Sequence, residues 1–203
     1  MKLYYSQNLN PRVAVAVSRY LGLAVQYIRA SPRSPQQEDA FRAINPNTLV
    51  PVLLEDDRTI WETDAIACRL STLAGSDFWR TGEQQVDMIM WISWGTHHLT
   101  NAASVLYWHR IIVPTFSDEV ADPKVLEAAL NDFRRHASVL DAYLGTRKWL
   151  VGDNLSYADF RVATSLPFAA GAGLPLDEFP HVRRWNEQLL AIDAWRAPFA
   201  GLT

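Results

Sequence analysis

Leu49-Val50-Pro51-Val52-Leu53-Leu54-Glu55-Asp56-Asp57-Arg58-Thr59-Ile60-Trp61-Glu62-Thr63-Asp64-Ala65-Ile66 decides the architecture of the first third of this chain. Proline donates nothing to a strand ladder, so Pro51 marks a strand start or edge. Residues 52–55 and 59–61 then read as two strands around the turn residues Asp56-Asp57-Arg58. Thr63 is placed to cap a helix over 64–73, whose Ile66, Leu70 and Leu73 are spaced for burial. Working back towards the start, 2–5 and 25–29 read as strands and 11–21 and 36–44 as helices. The order β-α-β-α-β-β-α implies an α/β unit, a small mixed sheet with helices on its faces.

Beyond this unit the pattern changes. Residues 75–83 are polar, carry two glycines and read as a linker. From 84 to 203 no strand pattern appears, so this half is expected to be all-helical. A long helical run over 83–113 is limited by Pro114. Residues 125–144 carry Leu126, Leu130, Phe133, Ala137, Leu140 and Leu144 at alternating steps of four and three. Residues 156–167 are apolar on most faces and read as a buried helix. Val182, Trp185, Leu189 and Ile192 form the inner stripe of a last helix, with Pro180 in its first turn.

The 203 residues are 49% hydrophobic and 20% charged, enough for a real core. A formal net charge of −3 with both signs interspersed offers nothing to nucleic acid or an anionic membrane. The single cysteine, Cys68, allows no internal disulfide, and it sits on an apolar helix stripe where burial is expected rather than reactivity. No apolar run approaches a membrane span and no signal-peptide core is present, so a cytoplasmic protein is expected.

Three stretches of the first unit carry groups suited to a ligand. If the Val50–Pro51 bond is cis, a tight turn follows, and Val50 can offer its N–H and C=O to an extended peptide. A strand-initiating proline explains the same residues without a ligand. The helix start at Thr63-Asp64 suits a carboxylate, and Glu62 beside it suits an ammonium group. A capped helix with an acidic first turn also accounts for them. In the loop Ser6-Gln7-Asn8-Leu9-Asn10, Asn10 reads as an N-cap and Pro11 as the first helical residue, with the proline holding Asn10 out of helical dihedrals. A thiol at that helix start has a lowered pKa. Asn10 or Asn8 can donate N–H to it, and Ser6 or Tyr5 can donate O–H. Capping alone accounts for Asn10 equally.

In the second half, Ser156 and Asp159 form a relative of the capping box, a folding signal. Trp91, Trp94, His97, His98, Tyr107, Trp108 and His109 read either as packing or as one wall of an apolar pocket. A metal is not expected, since adjacent histidines on a helix diverge by about 100° and no carboxylate or cysteine follows at ligand spacing. Gly-rich phosphate loops, Cys-x-x-Cys pairs and Gly-x-Ser-x-Gly elbows are missing from the sequence.

Taken in order, Lys2-Leu3-Tyr4-Tyr5-Ser6, Asn45-Pro46-Asn47-Thr48-Leu49-Val50-Pro51-Val52-Leu53, Trp61-Glu62-Thr63-Asp64-Ala65-Ile66 and Trp149-Leu150-Val151-Gly152-Asp153-Asn154-Leu155-Ser156-Tyr157-Ala158-Asp159 resemble the cytosolic glutathione transferases over essentially the whole chain. The resemblance implies a thioredoxin-like glutathione-binding domain over 1–74, the linker 75–83, and an all-helical domain over 84–203. It also implies a homodimer meeting through the start of the long helix after the linker. Val50, next to Leu49, would pair with the cysteinyl part of glutathione, Pro51 would be the family's cis-proline, and Glu62 and Thr63 would hold the γ-glutamyl end. Tyr107 and Trp108 would line the second-substrate pocket.

Two departures shape the expected chemistry. Thr48 and Leu49 stand where the family often places a lysine for the glycyl carboxylate. Asn10 stands where a bacterial branch has cysteine, which makes Asn10 the first expected thiol donor and Tyr5 the second, with Ser6 and Asn8 beside them. The resemblance therefore implies a transferase using glutathione as co-substrate, with no metal, to attack a small hydrophobic electrophile. A glutathione-dependent disulfide reductase or peroxidase, and a non-catalytic binding or assembly module, are the alternatives.

Overall fold

A computed structural model describes residues 1–202. The chain divides into two compact units, Met1–Trp79 together with the residues from Ile192 onward, and Arg80–Ala191.

The first unit runs β1 (Lys2–Tyr5), α1 (Leu9–Tyr20), β2 (Gln26–Arg29), α2 (Glu38–Arg42), β3 (Val52–Glu55), β4 (Arg58–Trp61) and α3 (Thr63–Leu73). The sheet order is β2-β1-β3-β4, with β1 parallel to β2 and antiparallel to β3, and β3 antiparallel to β4. This is the mixed sheet expected from the element order. Arg58 belongs to β4, so the turn is the pair Asp56-Asp57, with Asp56 at φ +50°. Leu3, Val52 and Leu53 are buried in the sheet, and Ile66, Ala67 and Leu70 are buried on α3, which packs against α1.

Helix α1 is buried along 11–18 because α3 packs on one side and α10 (Asp193–Arg196) on another. The sequence boundary placed 192–203 with the helical half, but the described residues from Ile192 join the first unit. Arg12, 4% exposed, donates through its guanidinium to the Trp195 carbonyl and lies 4.5 Å over the Trp195 ring. Tyr5 stacks on Phe199 at 5.5 Å, and Arg19 donates to the Ala200 carbonyl at 2.6 Å. Burial pulls the Arg12 pKa down to about 10.

The second unit holds α4 (Gln84–Trp94), a wide π-type segment (Gly95–Thr100), α5 (Asn101–Tyr107) and a second π-type segment (Trp108–Ile112) before a short 3-10 turn containing Pro114. The long helical run is thus present but interrupted by wide turns. Gly95 permits its close packing, since a Cβ there would meet Val162 Cγ2 at 2.8 Å. Next come α6 (Pro123–Leu144), α7 (Tyr157–Val162), α8 (Ala169–Ala172) and α9 (Pro180–Leu190). Phe133, Ala137, Leu140 and Leu144 of α6 are fully buried, as the alternating spacing requires. Helix α7 is shorter than the 156–167 expected, with Ala163 leaving helical dihedrals. Asp159 accepts from the Leu150 N–H (3.0 Å), the Ser156 N–H (2.9 Å), the Ser156 hydroxyl (3.0 Å) and the Trp185 indole N–H (3.0 Å). Among the described residues, no helix is long and apolar enough to cross a membrane.

Candidate functional site

Strand register brings the three candidate stretches to one end of the sheet. Tyr4 pairs with Val52, and Val52 pairs with Trp61. The chain leaving β1 after Tyr5, the chain reaching β3 through Val50-Pro51, and the chain leaving β4 at Glu62 therefore share that edge.

At the β3 start, the Val50–Pro51 peptide is cis. Neither the N–H nor the C=O of Val50 has a hydrogen-bond partner among the described residues. Val50 is half-buried, resting on the cluster of Ala30, Phe41 and Val52 with Tyr4 and Ile44. The turn that precedes it is held by Asn45, which is 2% exposed. The Asn45 amide donates to the Leu49 carbonyl at 2.8 Å, and its Oδ1 accepts from the Asn47 N–H at 3.0 Å. Thr48 closes this turn at φ +50°, and Leu49 itself is exposed.

At the α3 start, Glu62 occupies the cap position with φ +71° and ψ 127°, and its side chain caps nothing. The sequence put Thr63 there. The structure makes Thr63 the first helical residue, buried, with its hydroxyl 3.4 Å from the Asn10 carbonyl. The Thr63 hydroxyl is thus turned to the protein, while the Glu62 side chain is exposed. An Arg69–Glu55 pair, with contacts of 2.8 and 2.5 Å, braces α3 against β3.

At the α1 start, Asn8 is the cap, extended at φ −102° and ψ 175°, whereas Asn10 lies inside the first turn and Pro11 follows as the third helical residue. The expectation that Asn10 caps and Pro11 opens the helix is corrected by two residues. Pro11 is tolerated there because the first four N–H groups of a helix have no intrahelical partner. Asn8 does not cap with its side chain. Its amide turns back to Ser6 Oγ at 3.2 Å instead. Asn8 and Asn10 are both exposed and Ser6 is half-buried. Tyr5 is 1% exposed, enclosed by Tyr27 and Phe199, so its ring belongs to the core.

Family profiles described as "Glutathione S-transferase, N-terminal domain" and "Glutathione S-transferase, C-terminal domain" match residues 12–73 and 106–193. The chain belongs to the glutathione S-transferase family.

Its relatives include glutathione S-transferase GstB of Escherichia coli, 27% identical over 189 residues, which is 91% of this chain and 89% of that one. Human glutathione S-transferase theta-1 is 28% identical over 158 residues, 75% of this chain and 66% of that one. Among solved structures, human glutathione S-transferase T1-1 in its apo form has a TM-score of 0.87 at 23% identity, covering 98% of this chain and 87% of that one. A glutathione S-transferase-I bound with lactoylglutathione has a TM-score of 0.86 at 23% identity, covering 98% of both chains. These likenesses establish the transferase fold.

Within the helical unit of this family member, the two residues expected to line a second-substrate pocket behave differently. Tyr107 is buried edge-on against Phe168 at 4.9 Å, and burial pushes its hydroxyl pKa up. Trp108 is 49% exposed and lies 5.9 Å from the exposed Phe116. Phe116 carried no periodic signal in the sequence. Nor did Asn45, whose organising role follows only from its burial. Cys68 is half-buried, and burial raises its pKa, which disfavours the thiolate.

Proposed function

We propose that this chain is a glutathione transferase whose tripeptide lies along the Val50 edge with its sulfur over the start of α1. The observation that carries this reading is the unpartnered N–H and C=O of Val50, an open pairing edge for an extended peptide. At the same end of the sheet, the start of α3 suits a carboxylate and the exposed Glu62 beside it suits an ammonium group. Those groups match the two ends of an α-amino acid such as the γ-glutamyl residue.

Lowering a thiol pKa from near 9 to near 7 takes about 2.7 kcal/mol of thiolate stabilisation. A helix dipole gives up to roughly 2 kcal/mol, so a side-chain donor is needed as well. The exposed amides of Asn8 and Asn10 fill that role better than the enclosed Tyr5. The thiolate then attacks the electrophilic carbon of a small hydrophobic substrate, and its leaving group departs with the bonding pair. Trp108 and Phe116 supply exposed apolar surface for such a substrate. The protein acts in the cytoplasm as a homodimer, and Val86, Ile89 and Met90, exposed along one face of α4, form the apolar surface for the second copy.

Turnover of a chromogenic aryl halide with glutathione tests the reading. Wild type is expected to turn over, with Asn8→Ala and Asn10→Ala together slowing kcat by about tenfold or more. No calorimetric heat and no thermal shift with millimolar glutathione would overturn it and favour the non-catalytic module.

A second reading draws on the same loop. Asn8 and Asn10 carry amides in this loop, while Cys68 is half-buried on α3. A loop with amide donors and no protein thiol suits reduction of a glutathione mixed disulfide by a second glutathione. Activity on such a disulfide with none on aryl halides would select that reading.

A further inference from the structure

We propose that His98 and His136 form a two-histidine site for a divalent transition metal on the helical unit. Adjacent histidines 97 and 98 diverge, but the fold supplies a different pair. The π-type segment Gly95–Thr100 packs against α6, which brings His98 next to a residue 38 positions further along the chain.

The two imidazole ring centres lie 4.9 Å apart with their planes inclined by 34°. Trp94 seats both rings, 6.2 Å from His98 and 6.1 Å from His136. Trp94 in turn meets Trp91 at 5.2 Å, and Trp91 packs on Tyr143 of α6 at 4.6 Å, so the indole behind the pair is fixed. A metal about 2.1 Å from one nitrogen of each ring, at a near-tetrahedral angle, leaves the ring centres roughly 5 Å apart. The ring-centre spacing therefore matches what one nitrogen of each ring needs to share an ion.

His98 is exposed and His136 half-buried, so an ion enters from solvent and keeps water in its remaining positions. Among the described residues, no group of three or more His, Cys, Asp or Glu is placed to hold a metal, which limits the protein's contribution to these two nitrogens. Arg135, 3.5 Å from His136 Nε2, is paired with Asp132 at 3.0 Å, which offsets part of its charge near the site. Imidazole ligands select zinc, copper or nickel over magnesium and calcium, which require oxygen. A bound ion cross-links the π-type segment to α6 and stabilises this unit by mass action.

Zinc chloride alone is the probe, with glutathione omitted because its thiol binds zinc. Thermal unfolding and calorimetric titration are run on wild type, His98→Ala, His136→Ala and the control His97→Ala, with magnesium chloride as the control ion. Expected are one zinc per chain, a rise in wild-type Tm and no effect of magnesium. Either His98→Ala or His136→Ala should weaken zinc binding by at least about tenfold, because the second ligand binds intramolecularly. His97→Ala should behave as wild type. Zinc-dependent shifts of the His98 and His136 imidazole NMR signals, with His109 and His181 unmoved, supply a reading that needs no variant. An unchanged wild-type Tm at millimolar zinc, or a zinc shift that survives in either single variant, overturns the site.

Discussion

The Thr63 hydroxyl lies 3.4 Å from the Asn10 carbonyl and joins the first turns of α3 and α1. In the proposed binding mode one helix start takes the γ-glutamyl end and the other the sulfur, so this bond would set the spacing between the two ends. Thr63→Val keeps the side-chain shape and removes the donor. Stability should fall by about 1 kcal/mol in denaturant unfolding. Turnover should fall further than that loss predicts, with Thr63→Ser restoring both. Wild-type kinetics in Thr63→Val would mean that the tie has no part in positioning.

Glu62 combines an exposed carboxylate with φ +71°, a region in which non-glycine residues are strained by about 1–3 kcal/mol. Charge and strain separate in two variants. Glu62→Gln should leave unfolding unchanged and weaken glutathione binding by about tenfold. Glu62→Gly should lose the same affinity while holding its stability or gaining up to about 1 kcal/mol. Calorimetry and thermal melts read the two effects independently. Affinity like wild type in both variants removes Glu62 as the ammonium partner.

Asn45 holds the turn that presents Val50, through its bonds to the Leu49 carbonyl and the Asn47 N–H. Asn45→Ala leaves the Leu49 C=O without its donor in a half-buried turn. Unfolding should show a loss of roughly 1–3 kcal/mol. Because the residue shapes the binding edge rather than the sulfur end, KM for glutathione should rise while kcat at saturation stays near wild type. A kcat loss with KM unchanged would place its effect elsewhere.

What could be seen in the sequence was local. The strand–turn–strand–helix over 52–73 and the Ser156–Asp159 box depend on neighbours within a few residues; both are present, with the turn and the cap of α3 each shifted by one residue. The start of α1 is not fixed locally, because Asn8 and Asn10 are equally good caps and Pro11 fits any of the first-turn positions whose N–H is orphaned anyway. The sequence after the linker carries no strand pattern, so nothing local separates the final residues from the helical half. In the structure Ile192 is extended, and Trp195 and Phe199 bury against residues more than 180 positions earlier. Burial of Tyr5 by Phe199, which separates it from the exposed Asn8 and Asn10, depends on that distant contact and no local pattern reports it.

Asp159 gives the fold a pH dependence whose sign follows from its surroundings. Complete burial pushes its pKa up to about 6, against four hydrogen bonds that pull it down. In the unfolded chain the same group titrates near 3.9. Between those values the folded state holds a proton that the unfolded state has released. The stabilisation is therefore full below about pH 4 and is lost as pH rises through about 6, a change of order 3 kcal/mol. The Ser156 hydroxyl, 3.0 Å away, can reverse its role and accept from the protonated acid. Asp159→Asn does not titrate and presents an NH2 where one oxygen accepts from donors, so it should be less stable than wild type at low pH. The gap between the two proteins should then narrow from pH 4 to pH 7 in urea unfolding. A gap that widens over the same range would show that the four donors outweigh burial and that the ionised carboxylate is the native form.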